Sequence, residues 1–194
     1  KSSKKLMPLI HLPVQSGSNK ILKLMNRRHN VKEYLKIFDK LKQINPYIEF
    51  SSDFIIGYPG EDDQDFKETI DLIKKVNFIN SYSFIFSPRP GTVAENLKII
   101  DKEISMERLE IVQKLLMENQ IKTNKSLENH TVDVLVENLT KDKTKVFGRS
   151  EHMMPVFFNG KQDDIGKIVK VKIKDSNRNS LFGELLNISK KKVA

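Results

Sequence analysis

A group of polar side chains near the start of the sequence has the types that bind small polar ligands. Gln15 and Ser16 follow a short apolar segment, and their amide and hydroxyl groups can form hydrogen bonds with a ligand or only with their own loop. Arg27 can bind a carboxylate through two hydrogen bonds, the alternative being a surface arginine after a helix. Ser52 and Asp53 fall within a segment that resembles a buried strand. A buried carboxylate requires a partner, which is either a ligand hydroxyl or a structural salt bridge.

Two segments rich in turn-forming residues could bring further groups to such a ligand. Gly57 and Gly60 flank a Tyr-Pro pair, and glycine allows a backbone to approach a ligand closely. Arg89 stands between two prolines that stiffen its loop. Both segments are therefore candidates for contact with a bound molecule.

Basic side chains recur in the last third of the chain. Lys170, Lys172 and Lys174 alternate with apolar residues, so on a strand they point to one face. Such a row suits a phosphate backbone, although a solvated strand face is the alternative. Arg149 and Arg178 are predicted in or beside loops of the same region. The formal net charge of +9 also favours an anionic partner, most commonly a nucleic acid.

The sequence offers few groups that could hold a metal ion. It contains no cysteine, which excludes disulfides and cysteine-ligated zinc or iron–sulfur sites within this chain. Its histidines lack the spacing of metal ligands, and we expect them to be structural or on the surface: His11, His29, His130 and His152. We therefore predict no metal site in this chain.

The elements that must position the N-terminal side chains alternate between strand and helix. Apolar segments with strand character precede each polar loop, apolar residues at helical spacing follow the loops, and a long helix is predicted from about Ser105. This alternation is typical of a parallel sheet, where ligands bind at the carboxyl ends of the strands. The loops that contain Gln15, Gly57 and Arg89 are thus expected at one edge of the sheet.

The pattern changes after about residue 128. Apolar and polar residues alternate there in segments separated by polar turns, which predicts a small antiparallel β-barrel or sandwich. We place the boundary between an α/β domain at residues 1–125 and a β domain at residues 126–194. Hydrophobic residues make up 38% and charged residues 30% of the chain, as in globular proteins, and no apolar run approaches the roughly 20 residues of a membrane span.

Four segments together resemble one family. Their order and spacing are similar to those of the radical S-adenosylmethionine methylthiotransferases, and the second and fourth are most similar to the branch that modifies tRNA. The segments are residues 11–18 (HLPVQSGS), 25–29 (MNRRH), 53–61 (DFIIGYPGE) and 87–92 (SPRPGT). The later part of the chain resembles a TRAM domain, a small RNA-binding β-barrel, at residues 134–137 (VLVE), 147–150 (FGRS) and 179–184 (NSLFGE).

The resemblance implies the later part of a radical S-adenosylmethionine (β/α) partial barrel, followed by a TRAM barrel. It implies S-adenosylmethionine as cofactor and addition of a methylthio group to C2 of N(6)-isopentenyladenosine next to the anticodon of a tRNA. Cofactor contacts are expected at Gln15, Ser16, Arg27, Ser52, Asp53, Gly57 and Gly60, and contacts with substrate or RNA at Arg89, Arg149, Lys170, Lys172, Lys174 and Arg178. A cytoplasmic monomer is expected.

The family also carries two [4Fe–4S] clusters held by cysteines that are absent here. We therefore expect a fragment that is inactive by itself and begins downstream of those cysteines. Two alternatives remain open: an RNA-binding module without catalysis, and a methylthiotransferase that acts on ribosomal protein S12 or on a tRNA bearing a threonylcarbamoyl group.

Overall fold

The computed structural model describes residues 6–186, which form two compact units. The first comprises residues 10–120 and has alternating strands and helices. The strands up to residue 120 are β1 (Leu9–His11), β2 (Glu49–Ser51), β3 (Asp53–Ile56) and β4 (Tyr82–Ile85). The helices are α1 (Asn19–Leu24), α2 (Val31–Ile44), α3 (Asp63–Val76), a 3₁₀ turn (Val93–Asn96) and α4 (Lys102–Ser126), which continues into the second unit.

Side-chain caps fix where two of these helices begin. Asn30 accepts a hydrogen bond from the backbone N–H of Glu33, whose carboxylate accepts one from the N–H of Asn30. Asp62 and Asp65 form the same reciprocal pair at the start of α3. Each pair satisfies two backbone donors that helix geometry leaves free, so both helices begin where the sequence places a capping box.

The segment around Ser52 and Asp53, predicted as one buried strand, is two strands. β2 pairs with β1, whereas β3 pairs in parallel with β4, so the backbone changes partner at Ser52. The N–H of Ser52 donates to the side chain of Ser81 at 2.9 Å. Close to Ser52 in the sequence, Phe54 also forms an isolated parallel β-bridge with Gln15.

The strands of the first unit have one covered and one open face. Phe54 and Ile56 are fully buried and pack in a core with side chains from α2, α3 and α4. The opposite face carries Tyr82 and Phe84, which are 63% and 56% exposed. Parallel sheets usually have both faces covered, but here the face that carries Tyr82 and Phe84 is open. The layering is that of a partial barrel whose inner face is open.

Helix α4 begins earlier than the sequence suggested. Asp101 accepts a hydrogen bond from the N–H of Glu103 at 2.8 Å, and the helix therefore starts at Lys102 rather than near Ser105. The two compact units divide between Gln120 and Ile121, within this helix. The domain boundary at residues 125/126 stays a prediction.

The second unit is a closed five-stranded barrel with the strand order β5-β6-β7-β9-β8. Its strands are β5 (Thr131–Leu139), β6 (Val146–Ser150), β7 (Pro155–Asn159), β8 (Ile168–Ser176) and β9 (Leu181–Leu185). The predicted small β-barrel is confirmed, and four of its strand pairs are antiparallel as expected, whereas β7 and β9 pair in parallel. The parallel pair closes the barrel.

Candidate functional site

A cavity of about 640 Å³ opens at the carboxyl ends of β3 and β4. Ile56 and Ile85 are paired in the register of these parallel strands, so the loops that follow them start at the same edge. The volume lies within the range of small-molecule pockets. The lining includes Leu24, Met25, Asn26, Arg27, Ile55, Tyr58, Phe84, Ile85, Phe86, Ser87, Arg89, Thr92, Val93 and Ala94.

The cavity combines apolar walls with two guanidinium groups. Arg27 and Arg89 both line it, and both are exposed. Tyr58 and Phe86 meet edge to face with their ring centroids 4.8 Å apart, and the Tyr58 hydroxyl donates to the carbonyl of Leu24 at 3.1 Å. The arrangement can accommodate a flat apolar ring beside an anionic group.

The glycine loop between β3 and α3 adopts a backbone conformation that requires glycine. Gly57 and Gly60 have φ angles of 71° and 88°, which side-chain-bearing residues rarely adopt. A Cβ on Gly57 would lie 2.5 Å from Oγ of Ser105, whereas one on Gly60 would only touch Leu24 at 3.4 Å. Gly57 is thus required by its φ angle and by close packing against α4.

A buried ion pair fixes the position of this loop. Arg108 on α4 donates to Oε1 of Glu61 at 2.8 Å, and the N–H of Gly57 donates to the same oxygen at 3.2 Å. The side chains of Glu61 and Arg108 are only 1% and 8% exposed, and Oε2 of Glu61 has no hydrogen-bond partner. Burial raises the pKa of the Glu61 carboxyl, although the N–H of Gly57 and the guanidinium of Arg108 act in the opposite direction.

Arg108 and Glu61 are not among the site residues predicted from the sequence. Arg108 lies on the buried stripe of α4 with Ser105, Val112 and Leu116. A charged residue on the apolar stripe of a predicted helix would have been the signal, because a buried guanidinium requires a partner. Its second contact, with Asp63 at 2.6 Å, involves a carboxylate that is open to solvent.

Three side chains predicted to contact a cofactor are buried, those of Gln15, Ser16 and Ser52. Oγ of Ser16 accepts a hydrogen bond from the N–H of Ser18 and lies 3.4 Å from Oγ1 of Thr69. Oγ of Ser52 accepts from the N–H of Val14 at 2.9 Å. Gln15 is 6% exposed with a φ angle of 74°, and within the described part of the chain its side-chain amide makes no hydrogen bond. The two serine side chains thus accept hydrogen bonds from nearby backbone N–H groups, whereas the side-chain amide of Gln15 remains available to a ligand.

Asp53 shares a strand face with Ile55, which lines the cavity. Its side chain is 31% exposed, and one oxygen lies 3.4 Å from Nε2 of His11. Nδ1 of His11 in turn lies 2.8 Å from Oγ of Ser51. The carboxylate is therefore half-open to a ligand on the inner face of the strands while a histidine orients it.

The predicted cofactor residues are therefore only partly brought together. Of those proposed from the sequence, Arg27 lines the cavity and Arg89, assigned to the substrate, joins it there. Gln15, Ser16, Ser52, Asp53, Gly57 and Gly60 lie outside its lining. Within residues 6–186, no cluster of three or more His, Asp or Glu side chains could hold a metal ion.

The lysine row lies on the outer face of the barrel but is partly neutralised. Lys170 forms an ion pair with Asp133 at 2.7 Å, and Lys174 forms one with Glu184 at 3.1 Å. Lys172 alternates with the buried Val171 and Ile173 and has no ion pair with a described residue. Lys172, which is half-buried, is thus the member of the row that no described carboxylate neutralises.

The two predicted arginines of the barrel differ in their surroundings. Arg149 donates to the carbonyl of Met153 at 3.2 Å, lies 3.4 Å from the carboxylate of Glu137, and covers the ring of Phe147 at 5.7 Å from its centroid. Arg178 is exposed in the turn before β9, and its carbonyl accepts a hydrogen bond from the side chain of Asn124 at 3.1 Å. Arg149 is positioned by its contacts, whereas the Arg178 guanidinium faces solvent.

Comparison with known proteins gives two family matches along the chain. Residues 2–73 match the Radical SAM superfamily, and residues 125–186 match the TRAM domain. No helix of the described residues combines the length and the apolar character that crossing a membrane would require.

Similar curated proteins carry one name. A tRNA-2-methylthio-N(6)-dimethylallyladenosine synthase from Pelagibacter ubique (strain HTCC1062) is 66% identical over 194 residues, which is 100% of this chain and 44% of that protein. The synthases from Wolbachia pipientis wMel and Rickettsia akari (strain Hartford) are each 46% identical, over 92% and 94% of this chain and 42% and 41% of their own lengths. The chain thus spans less than half the length of these relatives. Over its whole sequence it is similar to these synthases, with a segment that matches the Radical SAM superfamily followed by one that matches the TRAM domain.

Proposed function

We propose that this chain is part of a tRNA methylthiotransferase that adds a methylthio group to C2 of N(6)-isopentenyladenosine next to the anticodon. The observation that carries the proposal is the cavity at the ends of β3 and β4, where Arg27 and Arg89 meet apolar walls, in a chain 66% identical to a synthase of that name. The chain contributes binding and orientation, because its described residues hold no acid–base pair at the cavity.

The cavity fits the chemistry of S-adenosylmethionine. The cofactor has a flat adenine, a ribose and a carboxylate, and the cavity offers the rings of Tyr58 and Phe86 together with the guanidinium of Arg27. Asp53, which shares a strand face with the lining residue Ile55, is the candidate for a cofactor hydroxyl group, and the contact expected of Gln15, outside the lining, stays a prediction. When bound, the cofactor supplies two groups. One is the radical that activates C2 of the substrate adenine, and the other is the methyl group of the product.

The two [4Fe–4S] clusters are part of the proposal through the family alone. Their usual ligands are cysteine thiolates, and this chain has no cysteine. None of its side chains is therefore assigned to a cluster. Its own residues form the apolar walls of the cavity and bring the guanidinium groups of Arg27 and Arg89 to it.

Arg89 is proposed to contact the substrate nucleotide. It lines the cavity together with Arg27, and its loop is one in which Gly91 donates its N–H to Glu95 at 2.8 Å. A guanidinium at the open rim can bind a phosphate of the tRNA. The barrel supplies the remaining cations toward tRNA through Lys172, Arg149 and Arg178. A tRNA substrate favours the cytoplasm as the location of the protein, and the monomer expected from the sequence stays a prediction.

A chimera tests the function directly. The segment of the Pelagibacter ubique synthase that aligns with this chain is replaced by the chain itself, and the chimera is expressed in cells that lack their own synthase. We expect mass spectrometry of the tRNA nucleosides to show the 2-methylthio product. A chimera that accumulates and carries its clusters, but leaves only the unmodified N(6)-isopentenyladenosine, would refute the proposal and favour an RNA-binding role or another target.

A further inference from the structure

Three phenylalanines form a row across adjacent strands of the barrel. Phe147 on β6 is paired with Phe157 on β7, and Phe157 is paired with Phe182 on β9. The ring centroids are 5.3 Å apart in the first pair and 5.8 Å apart in the second, with interplanar angles of 47° and 23°. The three residues are called the Phe row below.

The Phe row is not part of the barrel core. The core is filled by the alternate residues of the same strands, such as Val146 and Phe158, which are 0% and 1% exposed. The rings of the row are only partly buried and lie on the outward face. The packing of the barrel interior therefore does not account for them.

A cation adjoins one end of the row. The Arg149 guanidinium lies over the ring of Phe147, and its contacts with Met153 and Glu137 hold it there. Aromatic rings beside a guanidinium on a β-sheet surface suit unpaired nucleobases, whose flat faces stack on both groups. The neighbouring phosphates would meet positive charge, in keeping with the net charge of +9.

We propose that the Phe row is a stacking platform for unpaired bases of RNA. The proposal rests on the proposed function, because it names the part of the tRNA, a single-stranded stretch, that the barrel recognises. It differs from the phosphate contacts expected of the lysine row, where Lys170 and Lys174 are already paired with carboxylates. Stacking depends on bases and tolerates many sequences, whereas phosphate binding depends on charge.

The test uses the full chain and two short fluorescent oligonucleotides. One is a single-stranded RNA and the other is its abasic counterpart with the same number of phosphates. We expect the full chain to bind the abasic strand at least about fivefold more weakly, from the usual strength of base stacking. Phe157→Leu removes the central ring and should weaken RNA binding to a similar extent without changing the salt dependence, while Phe157→Tyr should restore it.

Controls separate recognition from folding. Ile168→Ala changes a side chain of the same barrel that is 71% exposed, and it should bind RNA like the unchanged chain. Circular dichroism follows the unfolding of each variant, because cross-strand aromatic pairs also stabilise sheets. If Phe157→Leu fails to fold, Phe182→Leu at the end of the row replaces it in the same comparison.

The outcomes distinguish this inference from the proposed function. Equal binding of the RNA by Phe157→Leu and by the unchanged chain, or equal binding of RNA and abasic strand, overturns the stacking platform and leaves salt-dependent tRNA binding intact. No binding of either strand overturns both the platform and the assignment of RNA as the partner of the barrel.

Discussion

Replacing Arg108 with methionine should strongly destabilise the first unit. The guanidinium lies 2.8 Å from Oε1 of Glu61, and both side chains are almost fully buried. In Arg108→Met the carboxylate of Glu61 would keep only the N–H of Gly57, while its second oxygen already lacks a partner. Removing one member of a buried ion pair costs about 3–5 kcal/mol, because the other charge stays buried. Asp63 adds little to this figure because its carboxylate is exposed.

Urea unfolding followed by tyrosine fluorescence measures this loss. The chain has no tryptophan, and its four tyrosines all lie within residues 10–120, so the signal reports on the first unit. The double variant Glu61→Gln, Arg108→Met removes both charges and should recover much of the stability, since buried pairs can be replaced by neutral groups at small net cost. A loss below about 1 kcal/mol for Arg108→Met alone would refute the reasoning, since it would make the pair behave like a surface contact.

The raised pKa of Glu61 also makes the free energy of unfolding depend on pH in a known direction. The pKa of Glu61 is raised in the folded state, so in the pH range between its unfolded and folded pKa the native chain holds the extra proton. The free energy of unfolding therefore falls as pH rises through that range. Arg108→Met removes two influences that lower this pKa and should steepen the fall. An Arg108→Met variant whose deficit is the same at acidic and at neutral pH would contradict the assignment to Glu61.

Three further changes test other parts of the account. Gly57→Ala should lower the urea stability of the first unit by about 1–3 kcal/mol through its φ angle and its contact with Ser105, and more than Gly91→Ala, where φ is 79° but the space is open. Asn124→Ala should lower the stability of the barrel, followed by circular dichroism, by about 1–3 kcal/mol, because its buried amide donates to the carbonyls of Asn177 and Arg178. Lys172→Gln should reduce the slope of tRNA affinity against salt by about one unit, a change that anisotropy titrations detect.

Local patterns in the sequence predict most of the elements correctly. The long helix predicted from about Ser105 is α4, and the period-2 segments after residue 128 are strands. The break at Ser52 could not be predicted, because it depends on which strand each half pairs with. The parallel pairing of β7 with β9 is likewise a property of barrel closure rather than of either strand.

The site is less accessible to sequence reasoning than the fold. Strand–loop alternation placed the loops of Gly57 and Arg89 at the carboxyl ends of β3 and β4, but it could not separate a lining side chain from one that fastens backbone, as Ser16 and Ser52 do. The ion-pair partner of Glu61 is Arg108, which lies 47 residues later in the chain. The two meet only because α4 packs against the glycine loop.

The assignment of the cavity to the cofactor is tested most directly by the KM for S-adenosylmethionine in the purified chimera. Arg27→Gln removes the guanidinium that lines the cavity, and Arg28→Gln is the matched control, because Arg28 is also exposed but does not line it. Loss of a charge-assisted hydrogen bond, typically about 1.5–3 kcal/mol, predicts a KM at least about tenfold higher for Arg27→Gln and an unchanged KM for Arg28→Gln. Equal KM values for the two variants and the unchanged chimera would contradict the account.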